Sequence, residues 1–313
     1  MLKISRRNLL LAGGATALAS VSSGSVAQEA SKQKPWRICL NLGTLLGFNL
    51  SLEEEIDVAA KAGYNAIEPW ARKVEQFAAK GGNFADLRKR INDHGLTVAG
   101  LVTFFQWIVD DDAKRTAGIE QMKKEMDWVL QMGGNRVAAT AGGANNVRLD
   151  DFRVLGDRYR TILEIGDKTG VVPMLEHWGK SKTLSSLADI VAVAAWTEHP
   201  KAELLLDVYH LFRGGSPFDG LALLNGRKIG GFHMNDYPAD PPREAQDDSH
   251  RVYCGDGIAP LPKIVRTLRD IGYEGCLSFE VFNRTYWETN DPLLVAKTGL
   301  EKLNAVLNKS RNP

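Results

Sequence analysis

The sequence predicts an α/β fold, a single (β/α)8 barrel of parallel strands. Three observations carry the prediction. Short apolar runs alternate with amphipathic helical stretches from Trp36 to about residue 308. No linker or low-complexity segment interrupts them. The chain has 313 residues, 44% hydrophobic and 25% charged, enough for one large core and unlike collagen-like, disordered or disulfide-stapled chains. An open doubly wound sheet is the competing arrangement. Its Gly-x-Gly-x-x-Gly turn is missing after the first strand, where Asn41-Leu42-Gly43-Thr44 stands instead.

Taken in order, strands are expected at residues 37–42, 66–69, 97–104, 135–139, 171–176, 203–207, 229–233 and 276–282. Ser51-Leu52-Glu53-Glu54 is a capping box that opens a helix ending near Lys61-Ala62-Gly63. Further helices are expected at residues 85–94, stopped by Gly95, and 113–132, charged on one face and stopped by Gly133-Gly134. The next runs over 151–169 to Gly170. The remaining four cover 184–195, 221–226, 261–271 and 292–307. Eight strands alternating with eight helices make 36–308 one barrel domain.

In such barrels the chemistry sits at the carboxyl ends of the strands. The fifth strand ends in Glu176-His177-Trp178 and the sixth in Asp207-Val208-Tyr209-His210. The seventh ends in His233-Met234-Asn235-Asp236 and the eighth in Glu280-Val281-Phe282-Asn283. A lone acid at a strand end is usually a cap or a loop salt bridge. Here four consecutive strands deliver Glu, Asp, His and Glu to one rim. Three carboxylates packed together repel one another, and a divalent cation relieves that repulsion. Oxygen and imidazole donors suit Mn2+, Mg2+, Co2+ or Zn2+. Cys39, Cys254 and Cys276 are too widely spaced for a zinc cluster or a disulfide framework and are expected to be passive.

The set Leu-Glu176-His-Trp, Leu-Asp207-Val-Tyr-His210, Phe-His233-Met-Asn-Asp236, His250-Arg251 and Phe-Glu280 resembles the xylose isomerase-like TIM barrels. The pattern is nearest to their sugar epimerase, hydroxypyruvate isomerase and inosose dehydratase branch, and it spans roughly residues 36–305. The resemblance implies that Glu176, Asp207, His233 and Glu280 bind one divalent metal ion, with manganese expected first. It also implies that Glu176 and Glu280 are the catalytic acid/base pair, and that His210 and Arg251 hold substrate oxygens. One departure is that residues 237–249, rich in Pro and Asp, separate the His233 motif from His250-Arg251. They are expected to form an insertion over the site mouth.

Other polar and aromatic residues have two readings each. Glu68, ending the second strand, is a substrate contact, or else a cap or salt bridge. Trp70, Phe105, Trp107 and Trp178 follow strand ends and either stack on a sugar or pack in the core. His177 points away from Glu176 along the strand and is expected to be structural. Lys180 is expected to be a solvated loop lysine. His94 and His199 are expected at helix ends, and Gly142-Gly143 and Gly214-Gly215 in turns.

The first 27 residues read as an export signal: basic Lys3, Arg6 and Arg7, an apolar Leu/Ala run, then small residues with Ser25-Val26-Ala27 at the cleavage site. Ser5-Arg6-Arg7-Asn8-Leu9-Leu10 resembles a twin-arginine signal, implying a bacterial periplasmic or secreted protein. Residues 28–35 form a short leader. Cleavage leaves 286 residues and takes the net charge from +1 to −2. No stable membrane insertion is then expected, and no nucleic-acid partner, which calls for a basic surface.

Enediolate chemistry between two glutamates predicts a metal-dependent isomerase or epimerase of a small sugar or keto-sugar. The same residues permit β-elimination from a keto-sugar, keto-glycoside or inosose, a lyase or dehydratase outcome. An apurinic endonuclease of the same superfamily uses a multi-metal cluster with extra histidines and a basic DNA surface, whereas at most three of the six histidines here belong to the site and the mature charge is near −2. A pure sugar-binding protein needs no opposed carboxylates. A homo-oligomer is compatible with the sequence.

Overall fold

The structure, a computed structural model, describes residues 35–311, so the export signal and most of the leader lie outside the described residues. Eight strands form one sheet: β1 (Arg37–Asn41), β2 (Ala66–Glu68), β3 (Thr97–Val98), β4 (Arg136–Ala139), β5 (Val172–Glu176), β6 (Leu204–Asp207), β7 (Ile229–Met234) and β8 (Cys276–Phe279). Their order is β3-β2-β1-β8-β7-β6-β5-β4, and every ladder is parallel. The curl closes where Leu101 bridges Val137. This is a (β/α)8 barrel, as the alternation of segments predicts.

Strand β3 is shorter than expected because its backbone changes partner. The Ala99 amide donates to Ile67 on β2, whereas the Leu101 amide donates to Arg136 on β4. One stretch of chain is thereby divided between two neighbours, and the ladder breaks while the barrel closes.

The helices are α1 (Leu52–Ala62), α2 (Ala71–Ala79), α3 (Phe84–Asp93), α4 (Asp112–Met132), α5 (Phe152–Thr169), α6 (Leu187–Trp196), α7 (Val208–Arg213), α8 (Leu261–Asp270), α9 (Arg284–Trp287) and α10 (Pro292–Lys309). Both halves of the Ser51/Glu54 capping box form. Helices α1, α4 and α5 stop at Gly63, Gly133 and Gly170, whose φ of 97°, 93° and 81° only glycine adopts without strain. The stretch 221–226 is not an α-helix. It falls within two short 3-10 segments (Phe218–Leu223 and Gly226–Lys228), since Pro217 and Gly226 bracket too few residues to sustain an α ladder. The sequence reading also missed α2, α7 and α9. All three are short, and their stability comes from packing at the barrel mouth.

Leu40, Leu175, Leu206, Phe232, Leu277 and Phe279 are fully buried and anchor the core. Within the barrel, Cys39, Ala66 and Cys276 form one small cluster, and Ala138, Met174 and Leu205 another. The three cysteines are free and buried, and burial pushes each thiol above its ordinary value. They are inert packing groups.

Candidate active site

Strands β5, β6 and β7 carry Glu176, Asp207 and His233 near their carboxyl ends, and Glu280 follows β8 directly. Register aligns the functional groups: Asp207 pairs with His233, and His233 with Ser278, two residues before Glu280. One ligand atom from each of Asp207, His233 and Glu280 lies within 4.8 Å of the others, and all three residues are buried. Glu176 and Glu280 both line a cavity of about 360 Å3 at the barrel mouth, with Trp178, His210 and Arg251.

Each side chain is held by its neighbours. Asp207 uses Oδ1 to accept from the His210 amide (2.8 Å), capping α7. Its Oδ2 accepts from Asn235 Nδ2 (3.1 Å) and Arg251 Nη1 (2.9 Å). Arg251 Nη1 also donates to Glu280 Oε2 (2.7 Å). Arg251 Nη2 donates to Asp248 Oδ1 (2.8 Å) and lies 3.2 Å from His210 Nε2. The guanidinium is 1% exposed, and its charge is matched by the buried carboxylates of Asp207 and Glu280 and the partly exposed one of Asp248. Its plane also sits over Tyr209 and Phe282.

Glu68 is not among the residues lining the cavity. Its Oε2 accepts from Asn41 Nδ2, His233 Nε2 and Ser278 Oγ, each at 2.9 Å. Glu68 thus meets His233, in line with the salt-bridge reading of this residue. Trp178 stands in the cavity wall, packed on His210 and Phe104. Trp70 joins the same wall. Phe105 and Trp107, by contrast, go to the core, where the Trp107 indole donates to the Thr140 carbonyl (2.7 Å). Phe104 takes the cavity position beside them. His177 is fully buried and structural, as its strand parity predicts.

The segment 237–249 does reach the site mouth. Asp247, Asp248 and Ser249 line the cavity, and Asp248 pairs with both Arg251 and Lys180. Lys180 is thus ion-paired, not simply solvated. The segment is strapped to α7 in three ways. Tyr237 stacks on Phe212 with centroids 3.7 Å apart, and Arg213 donates to the Gln246 and Glu244 carbonyls (3.0 and 3.1 Å). His94 caps α3 and meets Asp57, while His199 meets Asp167.

The electrostatics follow from burial and crowding. Burial, reinforced by Glu280, Asp207 and Glu68, pushes the Glu176 carboxyl up to about 8. Burial likewise raises Glu280, against the pull of His233 and Arg251. Asp207 goes the other way: burial opposes its charge, but Arg251, His210 and His233 hold it well below the usual carboxylate range. Burial drives His210 down to about 3, so its imidazole is neutral.

The residues fit a divalent cation. The grouped donors are the carboxylates of Asp207 and Glu280 and the imidazole of His233, hard and borderline ligands, with Glu176 on the same cavity. Two atoms of these residues, Glu176 Oε2 and His233 Nδ1, are buried without a hydrogen-bond partner. Buried polar atoms are ordinarily satisfied, and these two belong to the residues that the strand ends bring together.

Residues 56–306 match the family model of the xylose isomerase-like TIM barrel. The chain belongs to that family. Among its curated relatives, inosose isomerase of Bacillus velezensis is 24% identical over 276 residues, covering 87% of this chain and 98% of that one. Fructoselysine 3-epimerase of Escherichia coli O157:H7 is 22% identical, covering 82% and 94%. A 3-dehydroshikimate dehydratase of Pseudomonas putida is 23% identical over 74% of this chain and 36% of its own length. A crystal structure of IOLI protein with a binding zinc atom superposes with a TM-score of 0.81 at 21% identity, covering 88% of this chain and all of that one. The family members that this chain resembles are isomerases, epimerases and dehydratases, enzymes of small sugar-like molecules.

Asn41, at the end of β1, is not among the polar strand-end residues that the sequence singles out. Asn235 and Ser278 escaped notice because a buried amide or hydroxyl shows its partners only in three dimensions. Asp248 sat inside what the sequence marked as an insertion.

Proposed function

We propose that the protein is a divalent-metal-dependent isomerase or epimerase of an unphosphorylated sugar or keto-sugar. One observation carries the reading: two buried carboxylates and an imidazole, those of Asp207, Glu280 and His233, converge at the strand ends, with Glu176 and Glu280 facing one cavity. The isomerase and epimerase relatives support it. Asp207, His233 and Glu280 would hold the cation, with Glu176 completing the set. Manganese is the first expectation, and magnesium, cobalt and zinc fit the same donors. When bound, the ion supplies Lewis acidity beside the substrate carbonyl, lowering the cost of charge that develops there.

The chain's own residues do the rest. One of Glu176 and Glu280 takes the proton from the carbon next to the carbonyl, and the other returns a proton elsewhere. Return to the neighbouring carbon isomerises, and return to the opposite face epimerises. His210, neutral, can share a hydrogen bond with a substrate hydroxyl, and Arg251 can donate to an oxygen beside it. The Trp178 ring offers a face for the C–H side of a sugar. The dehydratase relative favours a second reading, loss of a β-oxygen from the same carbanion.

Incubation with keto-sugars in D2O tests both. Deuterium at a single carbon without loss of water or aglycone supports isomerase or epimerase chemistry. An enone absorbance assigns the site to elimination. Neither change across a broad keto-sugar panel with metal-loaded protein contradicts the proposal.

A further inference from the structure

The neighbourhood of Glu68 assigns it a task outside the proton-transfer pair. His233 has two distinguishable ring nitrogens here. Its Nε2 meets Glu68 Oε2 at 2.9 Å. Its Nδ1 faces Glu280 Oε2 at 3.5 Å and Asp207 Oδ2 at 3.6 Å, with no hydrogen-bond partner. A carboxylate accepts and cannot donate, so Nε2 must carry the hydrogen. Once the second ring proton has left, Nδ1 would present its lone pair to a cation held beside Asp207 and Glu280.

Glu68 is itself fixed. The amide of Asn41 and the hydroxyl of Ser278 donate to the same Oε2 (both 2.9 Å). Asn41 Oδ1 accepts from the Gly43 amide and from Trp70 Nε1, each at 2.8 Å. Its NH2 group is thereby turned towards Glu68. Glu68 is 3% exposed and ends β2, across the barrel interior from β7. A buried carboxylate with three donors on one oxygen has little freedom to rotate.

We propose that Glu68 is a positioning residue that sets the His233 tautomer, so that the ring binds the cation through Nδ1, with Asn41 and Ser278 holding Glu68 in place. The inference rests on the metal-dependent reading above and deepens it. It also ties a cavity-wall side chain, Trp70, to the metal site through Asn41.

The test compares full-length wild type with Glu68→Ala, Glu68→Gln and Asp207→Ala. Zn2+ and Mn2+ binding is measured by calorimetry, and the histidine ring nitrogens by 15N NMR, in Zn2+-loaded protein and, without metal, at a pH high enough to leave the ring neutral. Wild type is expected to show His233 protonated at Nε2. Glu68→Ala is expected to lose that single tautomer and to bind both ions roughly 10–100-fold more weakly, the usual cost of removing such a partner. Glu68→Gln keeps an acceptor oxygen and is expected to restore most of the affinity and the tautomer. Melting temperature identifies any variant that fails to fold, in which case Asn41→Ala and Ser278→Ala, which loosen Glu68 without emptying its place, are judged by the same two readouts. Unchanged affinity and an unchanged tautomer in folded Glu68→Ala overturn the inference. Failure of wild type to bind either ion removes the metal reading instead, and the NMR measurement still decides whether Glu68 sets the tautomer.

Discussion

Glu176 and Arg251 show how far a single side chain is governed by its surroundings. Glu176 is buried, crowded by other carboxylates and raised to about 8 in the metal-free protein. A raised carboxyl favours the protonated form in the folded state. Its contribution to metal-free stability is therefore fully present below the ordinary value of 4.5 and is lost as pH rises through about 8. Glu176→Gln removes that dependence, and we expect the metal-free variant to fold at least as stably as wild type at neutral pH. Its deuterium exchange into substrate should fall by roughly 10^2–10^4-fold, the range for loss of a general acid or base. Chemical denaturation across pH checks the first outcome and exchange kinetics the second. Arg251→Ala should be severely destabilising, because it leaves Asp207 and Glu280 buried without their shared cation.

At the scale of elements, strand ends were the most legible feature of the sequence. Glu176, Asp207, His233 and Glu280 each follow an apolar run, and parity along a strand fixes which residue faces the interior. What the sequence concealed depends on contacts between elements. Nothing in Ile-Glu68-Pro shows that His233, 165 residues away, takes its carboxylate. Phe104, not Phe105, lies in the cavity wall, beyond the point where β3 breaks and the barrel closes. Short helices such as α7 lack the length for a periodic signal.

The strap over the mouth offers a test at this scale. Arg213 ties it to α7 through the Gln246 and Glu244 carbonyls. Arg213→Ala should loosen Asp247–Ser249, raise KM several-fold and leave metal content unchanged. Steady-state kinetics with elemental analysis separates those effects. Helix α4 offers another. Burial raises Glu125 to about 7, and its Oε2 has no hydrogen-bond partner. The folded protein keeps a proton there that the unfolded chain releases above about 4.5, so stability falls as pH rises between the two values. Glu125→Gln should therefore stabilise by up to about 3 kcal/mol at pH 8 and have little effect below pH 4.5. Urea denaturation at the two pH values measures the difference.

On the scale of the whole molecule, one barrel explains the length of the chain. Among the described residues the elements run from Arg37 to Lys309. Removal of residues 1–27 should leave melting temperature and metal content unchanged. The export reading predicts that Arg6→Lys together with Arg7→Lys traps the full-length protein in the cytoplasm, as cell fractionation would show. The balance of 39 basic and 38 acidic residues conceals a division of labour: three of the positives belong to the proposed signal, and two of the acids, Asp207 and Glu280, meet at the proposed metal site with Glu176 on the same cavity.

The central claim is that these strand-end residues hold a catalytic cation. Elemental analysis of purified protein, wild type against Asp207→Ala, tests it most directly. The account predicts one divalent ion per wild-type chain and almost none in the folded variant. Equal metal content in the two, or none in wild type supplied with manganese and zinc, would contradict it.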